Sequence, residues 1–348
     1  ILKSNKLANV CYDIRGPVLQ QAKQMEDEGH KIIKLNIGNL GPFGFDSPEE
    51  IQLDMIRNLP NAAGYCDSKG IFAARKAIMH YTQEKNIKGV TLEDIYIGNG
   101  ASELIVMAMN ALLNPGDEVI IPTPYWTSYS DIIEIAEGKP VLIACDASAG
   151  FRLKAEQLEA AITPKTRWLM LNSPSNPSGA AYSRADYKAL TDVLLRHPHV
   201  WLLADDMYEH ILYDGFAFST PAEVEPRIKD RTLTVNGVSK SYAMTGWRIG
   251  FGAGPEALIR AMAKLQSQST SNPCSISQYA ALAALNGPQD YVETSRAVFQ
   301  RRRDLVVEAL NTCPGISCPV PEGAFYVYPS IHGLIGKTSA GGAVITDD

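Results

Sequence analysis

A lysine and an arginine in segment 236–250, which reads NGVSKSYAMTGWRIG, are the residues whose types and spacing most clearly indicate chemistry. Lys240 lies between two apolar runs, 232–235 and 247–252, so the pattern predicts a lysine at a buried turn between two strands. Burying a lysine is costly because desolvation penalises its charged form, but a buried amine is suited to act as a Schiff-base nucleophile. Arg248 follows eight residues later, where a fixed cation can hold a phosphate.

A lysine nucleophile near a phosphate-binding arginine suggests pyridoxal 5'-phosphate (PLP) as the cofactor. The alternative interpretation is a surface lysine and arginine that flank a core strand. The start of a predicted apolar helix favours the first interpretation. The sequence IGNGASELIVMAMNALL places Gly100, Ala101 and Ser102 there, and backbone amides at a helix N-terminus bind anions. Many helices begin in this way, so this part of the prediction depends on the lysine and the arginine.

Polar residues at two further strand ends are candidate cofactor ligands, since ligands of open α/β sheets sit at the carboxyl ends of strands. Asp205 follows the apolar run 200–204 and suits the pyridine nitrogen of PLP, which needs an anion to stay protonated. Asp206 is the competing candidate. Tyr208 can hydrogen-bond the phenolic oxygen of the ring. Asn176, in LNSPSNPSG, can donate to that oxygen and to a substrate carboxylate, or can be a simple turn asparagine.

An aromatic residue and a glycine complete the set of candidates. Trp126, in PTPYWTSY, follows a further strand and can stack on the pyridine ring, although aromatic residues at such places are often core residues. Gly38, in LNIGN, follows a short N-terminal strand. The missing side chain of this glycine would let the backbone approach the substrate.

Composition excludes several classes of function. The chain has 348 residues, of which 45% are hydrophobic and 20% charged, which is ordinary globular composition and enough for two domains. A net charge of -6 gives no indication of a nucleic-acid or anionic-membrane partner. No apolar run approaches the length of a membrane span, and the start lacks the layout of a signal peptide. Six scattered cysteines fit a cytoplasmic protein, and six histidines form no metal-like cluster.

The order of predicted elements favours an α/β fold with a mainly parallel sheet, because strands and helices alternate between residues 95 and 252. The predicted strands are 95–98, 118–122, 140–145, 167–172, 200–204, 233–235 and 247–252. The predicted helices between them include 101–113, 126–137, 157–162 and 184–196. Beyond residue 255 we expect helices 256–266, 275–285 and 290–311 and a strand at 325–328, which together suggest a second, smaller domain.

The candidates together resemble the class I/II aminotransferases of fold type I, which are PLP-dependent enzymes. The resemblance implies a large domain with a mainly parallel seven-stranded sheet and a smaller α/β domain. We expect an N-terminal arm and part of the small domain at 1–42, the large PLP-binding domain at 43–285 and the rest of the small domain at 286–348. It also implies a homodimer whose active site is shared between subunits.

Roles of single residues also follow from the resemblance. Lys240 would form the internal aldimine and carry the proton between the amino-acid Cα and the cofactor. The cofactor-binding asparagine, aspartate, tyrosine and arginine of the family match the candidates Asn176, Asp205, Tyr208 and Arg248, the ring stacker matches Trp126 and the substrate-loop glycine matches Gly38. Tyr65, in NAAGYCDSKG, matches the tyrosine that reaches the cofactor phosphate from the partner subunit, or is an ordinary loop tyrosine.

Two parts of the chain resemble different branches of the family. Residues 1 to about 122 resemble bacterial glutamate–pyruvate (alanine) aminotransferases, and residues from about 124 onward resemble bacterial aspartate aminotransferases, as in a hybrid chain. In the alanine type the YDIRG segment covers the active site, so Tyr12 and Arg15 are substrate-contact candidates. Arg15 would pair with the distal carboxylate of glutamate, or is a surface arginine on an N-terminal arm.

The expected function is ping-pong transamination between L-alanine, L-aspartate or L-glutamate and 2-oxoglutarate, pyruvate or oxaloacetate. A C-terminal arginine of the family clamps the substrate α-carboxylate, and the sequence ends at Asp348 before a matching segment. We therefore expect this chain to bind PLP but to transaminate poorly. The alternatives are a C–S lyase or another Cα chemistry on the same fold, and a non-catalytic domain that keeps the fold.

Overall fold

The computed structural model describes residues 4–10, 16–35, 37–339 and 341–346. The strands are β1 Ile95–Gly98, β2 Glu118–Thr123, β3 Lys139–Ala144, β4 Thr166–Asn172, β5 Trp201–Asp205, β6 Thr232–Gly237 and β7 Gly250–Ala253. The α-helices are α1 Gly16–Asp27, α2 Glu49–Asn58, α3 Phe72–Glu84, α4 Ala101–Leu112, α5 Ser128–Ile135, α6 Ala155–Ala161, α7 Arg184–Arg196, α8 Pro221–Val224, α9 Glu256–Ser267, α10 Ser275–Asn286 and α11 Asp290–Asn311.

The seven strands form one sheet in the order β1-β7-β6-β5-β4-β2-β3. Strands β2 to β6 pair in parallel, whereas β7 is antiparallel to both of its neighbours. The predicted mainly parallel seven-stranded α/β sheet is confirmed. Its register places Asn172 beside Asp205 and Asp205 beside Val235. The carboxyl ends of β4, β5 and β6 therefore lie side by side.

The central strands are continuous apolar runs because both of their faces are buried. Alternate side chains of β4 point to opposite faces, so Trp168 and Met170 join the core beneath α4, α5 and α9, while Leu169 and Leu171 join the core beneath α6 and α7. Helix α4 turns its apolar stripe, which includes Ile105, onto the first of these cores. This packing fixes the N-terminus of α4 at the sheet edge where the strands end.

Three predicted strands differ from the structure, and one of them is the short strand expected before Gly38, which does not form in the described residues 31–35. Strand β7 begins at Gly250 and not at residue 247, because Thr245–Trp247 forms a 3₁₀ turn and Arg248 has a left-handed φ of 55°. No strand forms at 325–328, so that prediction is wrong. The apolar pattern there reflects aromatic packing, since the ring of Phe325 lies 5.3 Å from that of Phe299. The domain boundaries at residues 42 and 285 remain predictions.

Candidate functional site

A cavity of about 160 Å³ lies where β4, β5 and β6 end and α4 begins. It brings together residues that are up to 147 positions apart in the chain, from Ala101 to Arg248. The predicted site residues on its wall are Ala101, Ser102, Trp126, Asn176, Asp205, Tyr208, Lys240 and Arg248. Its position agrees with the rule that ligands of open α/β sheets bind at the carboxyl ends of strands.

Lys240 follows β6 and directs its amine toward the N-terminal segment. Its Nζ donates to the carbonyl oxygen of Gly38 at 3.3 Å. Burial, and then the nearby guanidinium of Arg248, lower the pKa of Lys240 to about 8, while Asp205 opposes this shift. A neutral, nucleophilic amine is therefore accessible near physiological pH.

Gly38 is required by the close approach of three side chains. A Cβ at this position would lie 2.8 Å from the hydroxyl of Tyr326, 3.0 Å from Phe325 and 3.3 Å from the amine of Lys240. The neighbouring side chains therefore leave no room for a Cβ at this position. The structure places Gly38 beside Lys240, and its contact with a substrate remains a prediction.

Asp205 ends β5 and is buried. Its Oδ2 accepts a hydrogen bond from the Tyr129 hydroxyl at 2.6 Å, and its Oδ1 accepts one from the Met207 amide at 3.1 Å. Burial raises the pKa of Asp205 to about 6, although both hydrogen bonds act in the opposite direction. A cation brought against this carboxylate would lower the pKa again. Asp206, the competing candidate, binds Lys85 instead and does not line the cavity.

The side chain of Asn172 connects the end of β4 with the end of β5 and with the turn that carries Asn176. The backbone amide of Asn176 donates to Oδ1 of Asn172 at 2.7 Å, and Nδ2 of Asn172 donates to the carbonyl oxygen of Asp205 at 2.9 Å. Tyr208 lies 2.7 Å from the hydroxyl of Tyr326. Burial, and then Tyr326, hold the pKa of Tyr208 well above its usual value. Its hydroxyl is therefore a hydrogen-bond donor at neutral pH.

The other end of the cavity is built for an anion. Helix α4 begins after Gly100, whose φ is 83°, and no side chain caps it. The first amides of α4, on Ala101 and Ser102, therefore stay available to a ligand. The Nη1 atom of Arg248 donates to the Thr245 carbonyl oxygen at 2.9 Å, which orients the guanidinium. A Cβ on Gly100 would lie 2.3 Å from Nη2 of Arg248.

Trp126 and Tyr65 have contrasting environments. The Trp126 ring lines the cavity and packs edge-on against Tyr129, with ring centroids 5.4 Å apart. Tyr65 is 93% exposed and does not contact the cavity of its own chain. Tyr12 and Arg15 lie outside the described residues.

Three residues that sequence reasoning missed contribute to the site. Tyr129 follows Trp126 by three residues, one helical turn, and this spacing could have indicated it. Asn172 is the last residue of β4, a place equivalent to that of Asp205 on the neighbouring strand. Tyr326 reaches Tyr208 across 118 positions of sequence, and no local pattern indicates that contact.

Within residues 4–10, 16–35, 37–339 and 341–346, no three His, Cys, Asp or Glu side chains are grouped as a metal site would require. In the same part of the chain, no helix combines the length and the apolar character that crossing a membrane would need.

Residues 30–340 match the family described as aminotransferase class I and II. The chain is 58% identical over 331 residues to an aspartate aminotransferase of Rhizobium meliloti (strain 1021), a match that covers 94% of this chain and 80% of the relative. It is 53% identical over 346 residues to the aspartate/prephenate aminotransferase of Cereibacter sphaeroides (strain ATCC 17029 / ATH 2.4.9), with 99% and 86% covered. It is 44% identical over 338 residues to the glutamate-pyruvate aminotransferase AlaA of Escherichia coli (strain K12), with 95% and 83% covered.

Solved structures agree with these matches. The crystal structure of the aspartate aminotransferase from Rhizobium meliloti superposes with a TM-score of 0.96 at 54% identity, covering 99% of this chain and 86% of that one. The relatives named for aspartate and the one named for glutamate and pyruvate each match at least 94% of the chain. Neither part of the chain is therefore similar to one kind of relative alone.

Proposed function

The chain belongs to the aminotransferase class I and II family, and from that premise we propose that its Lys240 cavity binds PLP and transfers the amino group of L-aspartate to a 2-oxoacid. The observation that carries the proposal is the meeting of Lys240, Asp205 and Arg248 with the start of α4 in one cavity. Each matches one part of PLP: an amine for its aldehyde, a buried carboxylate for its ring nitrogen, and a guanidinium with free amides for its phosphate.

When bound, PLP supplies an aldehyde that takes up the amino group and a protonated ring that withdraws electrons from the amino-acid Cα. The residues around it bind, orient and move protons. Asp205 keeps the proton on the ring nitrogen, and Tyr129 and the Met207 amide hold its carboxylate in place. The Nζ of Lys240 takes the Cα proton and returns it, a role favoured by its pKa of about 8.

Other residues of the cavity orient the two reactants. Tyr208 donates to the phenolic oxygen of the cofactor, and Asn176 donates to the same oxygen and to the substrate carboxylate. Trp126 covers one face of the ring and excludes water from it. Gly38 presents backbone to the substrate, and its small size leaves the lysine free to swing between reactants.

L-Aspartate is proposed as the donor because two of the relatives at 53% and 58% identity are named for it. Glutamate and 2-oxoglutarate, with oxaloacetate, complete the exchange. A second candidate pair is alanine and pyruvate, favoured by the 44% identical relative named for glutamate and pyruvate. In either case Arg15 is the proposed contact of the distal carboxylate of glutamate, and Tyr12 is a further proposed substrate contact. Nothing in the comparisons favours a C–S lyase or a non-catalytic domain.

We also propose that the chain works as a cytoplasmic homodimer with a shared active site. Large apolar side chains are exposed on and near α2, which is typical of a surface that meets another chain. They are Leu53, Ile56, Leu59, Tyr65 and Phe72, each 42% exposed or more. In the proposed dimer Tyr65 leaves this surface to reach the cofactor phosphate of its partner.

The test is an absorption titration of the purified chain with PLP, followed by separate additions of L-aspartate, L-glutamate and L-alanine. We expect a pH-sensitive visible band that L-aspartate converts to the spectrum of pyridoxamine phosphate. Lys240→Ala should remove the band, whereas the exposed Lys76→Ala should not. Conversion by L-alanine alone would replace aspartate with the second pair, and an unchanged band in Lys240→Ala would refute the assignment of the lysine.

A further inference from the structure

A second set of charged side chains lies directly behind the cofactor cavity. Asp206 and Glu209 follow the cavity residues Asp205 and Tyr208 by one position each, and their side chains are only 1% and 3% exposed. Lys85, at the end of α3, approaches both carboxylates: its Nζ lies 3.0 Å from Oδ2 of Asp206 and also contacts Oε2 of Glu209. One amine therefore contacts two buried carboxyl groups, and burial raises the pKa of both, that of Glu209 to about 8.

Segment 205–209 has two pairs of side chains that face different environments. Asp205 and Tyr208, three residues apart, line the cavity, whereas Asp206 and Glu209, also three residues apart, face Lys85. Because the same short stretch of backbone carries both sets, a displacement of the rear pair would be transmitted to the front pair, whose Asp205 carboxylate is also held by the hydrogen bonds from Tyr129 and the Met207 amide.

Backbone hydrogen bonds tie the start of this segment to the sheet, where the Asp205 carbonyl oxygen accepts from the Ser173 amide at 3.2 Å. Strand β5 ends at Asp205, after which the Asp206 amide donates to the Val235 carbonyl oxygen at 2.8 Å and the Glu209 amide donates to the Asp206 carbonyl oxygen at 3.0 Å. Lys85 is the sole lysine or arginine within ion-pair distance of either rear carboxylate in the described part of the chain. Without that amine, both carboxyl groups would be buried without a lysine or arginine partner, which penalises the charged form of each.

We propose that Lys85 is a positioning residue of the cofactor site, which holds segment 205–209 so that Asp205 and Tyr208 face PLP. The inference rests on the proposed PLP function. A second contact from α3 supports it: the Tyr81 hydroxyl lies 2.7 Å from Nε2 of His210. Tyr81 and Lys85 are four residues apart and so share one face at the end of this helix. The end of α3 therefore contacts segment 205–209 and the adjacent His210 through two side chains.

The test compares Lys85→Met with Lys85→Arg and with the control Lys76→Met, an exposed lysine of the same helix. The first measurement is amide hydrogen exchange of segment 205–209 in PLP-free protein. The second is the dissociation constant of PLP, and the third is the pH at which the visible band titrates. In Lys85→Met we expect exchange at least tenfold faster, PLP binding at least tenfold weaker and a displaced titration. Lys85→Arg should recover most of each, and Lys76→Met should match the wild type.

A triple variant separates positioning from simple charge balance. Lys85→Met with Asp206→Asn and Glu209→Gln also removes the two buried acidic groups that lose their cation, so we expect its melting temperature to recover while fast exchange and weak PLP binding persist. Wild-type exchange and PLP affinity, in either a folded Lys85→Met or the triple variant, would overturn the proposal. If the wild type itself fails to bind PLP, the proposed function fails, and hydrogen exchange alone still decides what Lys85 does.

Discussion

Lys240 and Asp205 share one cavity, and burial favours the neutral form of each. It lowers the pKa of Lys240 to about 8 and raises the pKa of Asp205 to about 6. Without a ligand, the charged form of each of these two buried side chains therefore costs free energy. Both costs are reversed by a ligand that bonds to the amine and brings a cation to the carboxylate. This electrostatic match is specific to the two side chains and leads to predictions at both ends of the pH range.

Lys240 should destabilise the PLP-free protein at neutral pH. Its folded pKa, about 8, lies below its ordinary value of 10.5, so between these values the unfolded chain binds more protons and stability rises with pH. Below pH 8 the full cost is present, on the order of 3 kcal/mol at most. Lys240→Met should therefore raise the free energy of unfolding at pH 7, with a smaller gain toward pH 10. Urea unfolding measures this, and Lys76→Met should show neither effect.

Tyr129 should set the acid limit of activity. Its hydroxyl donates to Asp205 and lowers the pKa of that carboxyl, so in Tyr129→Phe the carboxyl should stay protonated to a higher pH. The low-pH limb of a kcat/KM profile should move upward in pH in this variant. Tyr125→Phe is the matched control, because its ring stacks on Tyr129 without touching Asp205. An acid limb that stays in place in Tyr129→Phe would contradict this role.

At the scale of elements, the sheet could be predicted because its central strands are buried on both faces and read as continuous apolar runs. The carboxyl-end rule then placed Asp205 and Asn176 correctly near one another. The start of β7 could not be predicted, since the left-handed φ of Arg248 depends on its contacts with the Thr245 and Asn99 carbonyl oxygens. The prediction of a strand at 325–328 was wrong because an aromatic run that packs into a site has the same composition as a strand.

Gly100 connects β1 to α4 and should be needed for the anion site in particular. In Gly100→Ala the backbone, with φ 83° and ψ 161°, stays in a region that glycine alone adopts readily, which costs about 1–3 kcal/mol of stability, and the new Cβ displaces the Arg248 guanidinium. Losing a charge-assisted contact should weaken PLP binding about tenfold or more. Gly116→Ala is a matched control, because its φ of 87° is similar and nothing lies within 4 Å of the new Cβ. Fluorescence titration should show weaker PLP binding in the first variant alone.

At the scale of the whole molecule, Tyr65 does not line the cavity of its own chain, and it is 93% exposed. A shared active site explains both observations, because each chain would lend its tyrosine to the other. The same arrangement explains the exposed apolar side chains on and near α2, which have no partner in the described part of a single chain. If the site is shared in this way, we expect the dimer to be the active form.

Mixing two inactive chains should restore activity if the site is shared. Lys240→Ala removes the nucleophile, and Tyr65→Glu places a carboxylate against the phosphate of the partner's cofactor. In a mixed twofold dimer one site carries both changes and the other carries neither. Random exchange of subunits should therefore recover about a quarter of the wild-type sites, measured as transamination rate after mixing. Mixtures that stay as inactive as the separate chains would show that Tyr65 acts within its own subunit or not at all. Recovery would establish, without a structure of the dimer, that the site described here is completed by a second copy of the chain.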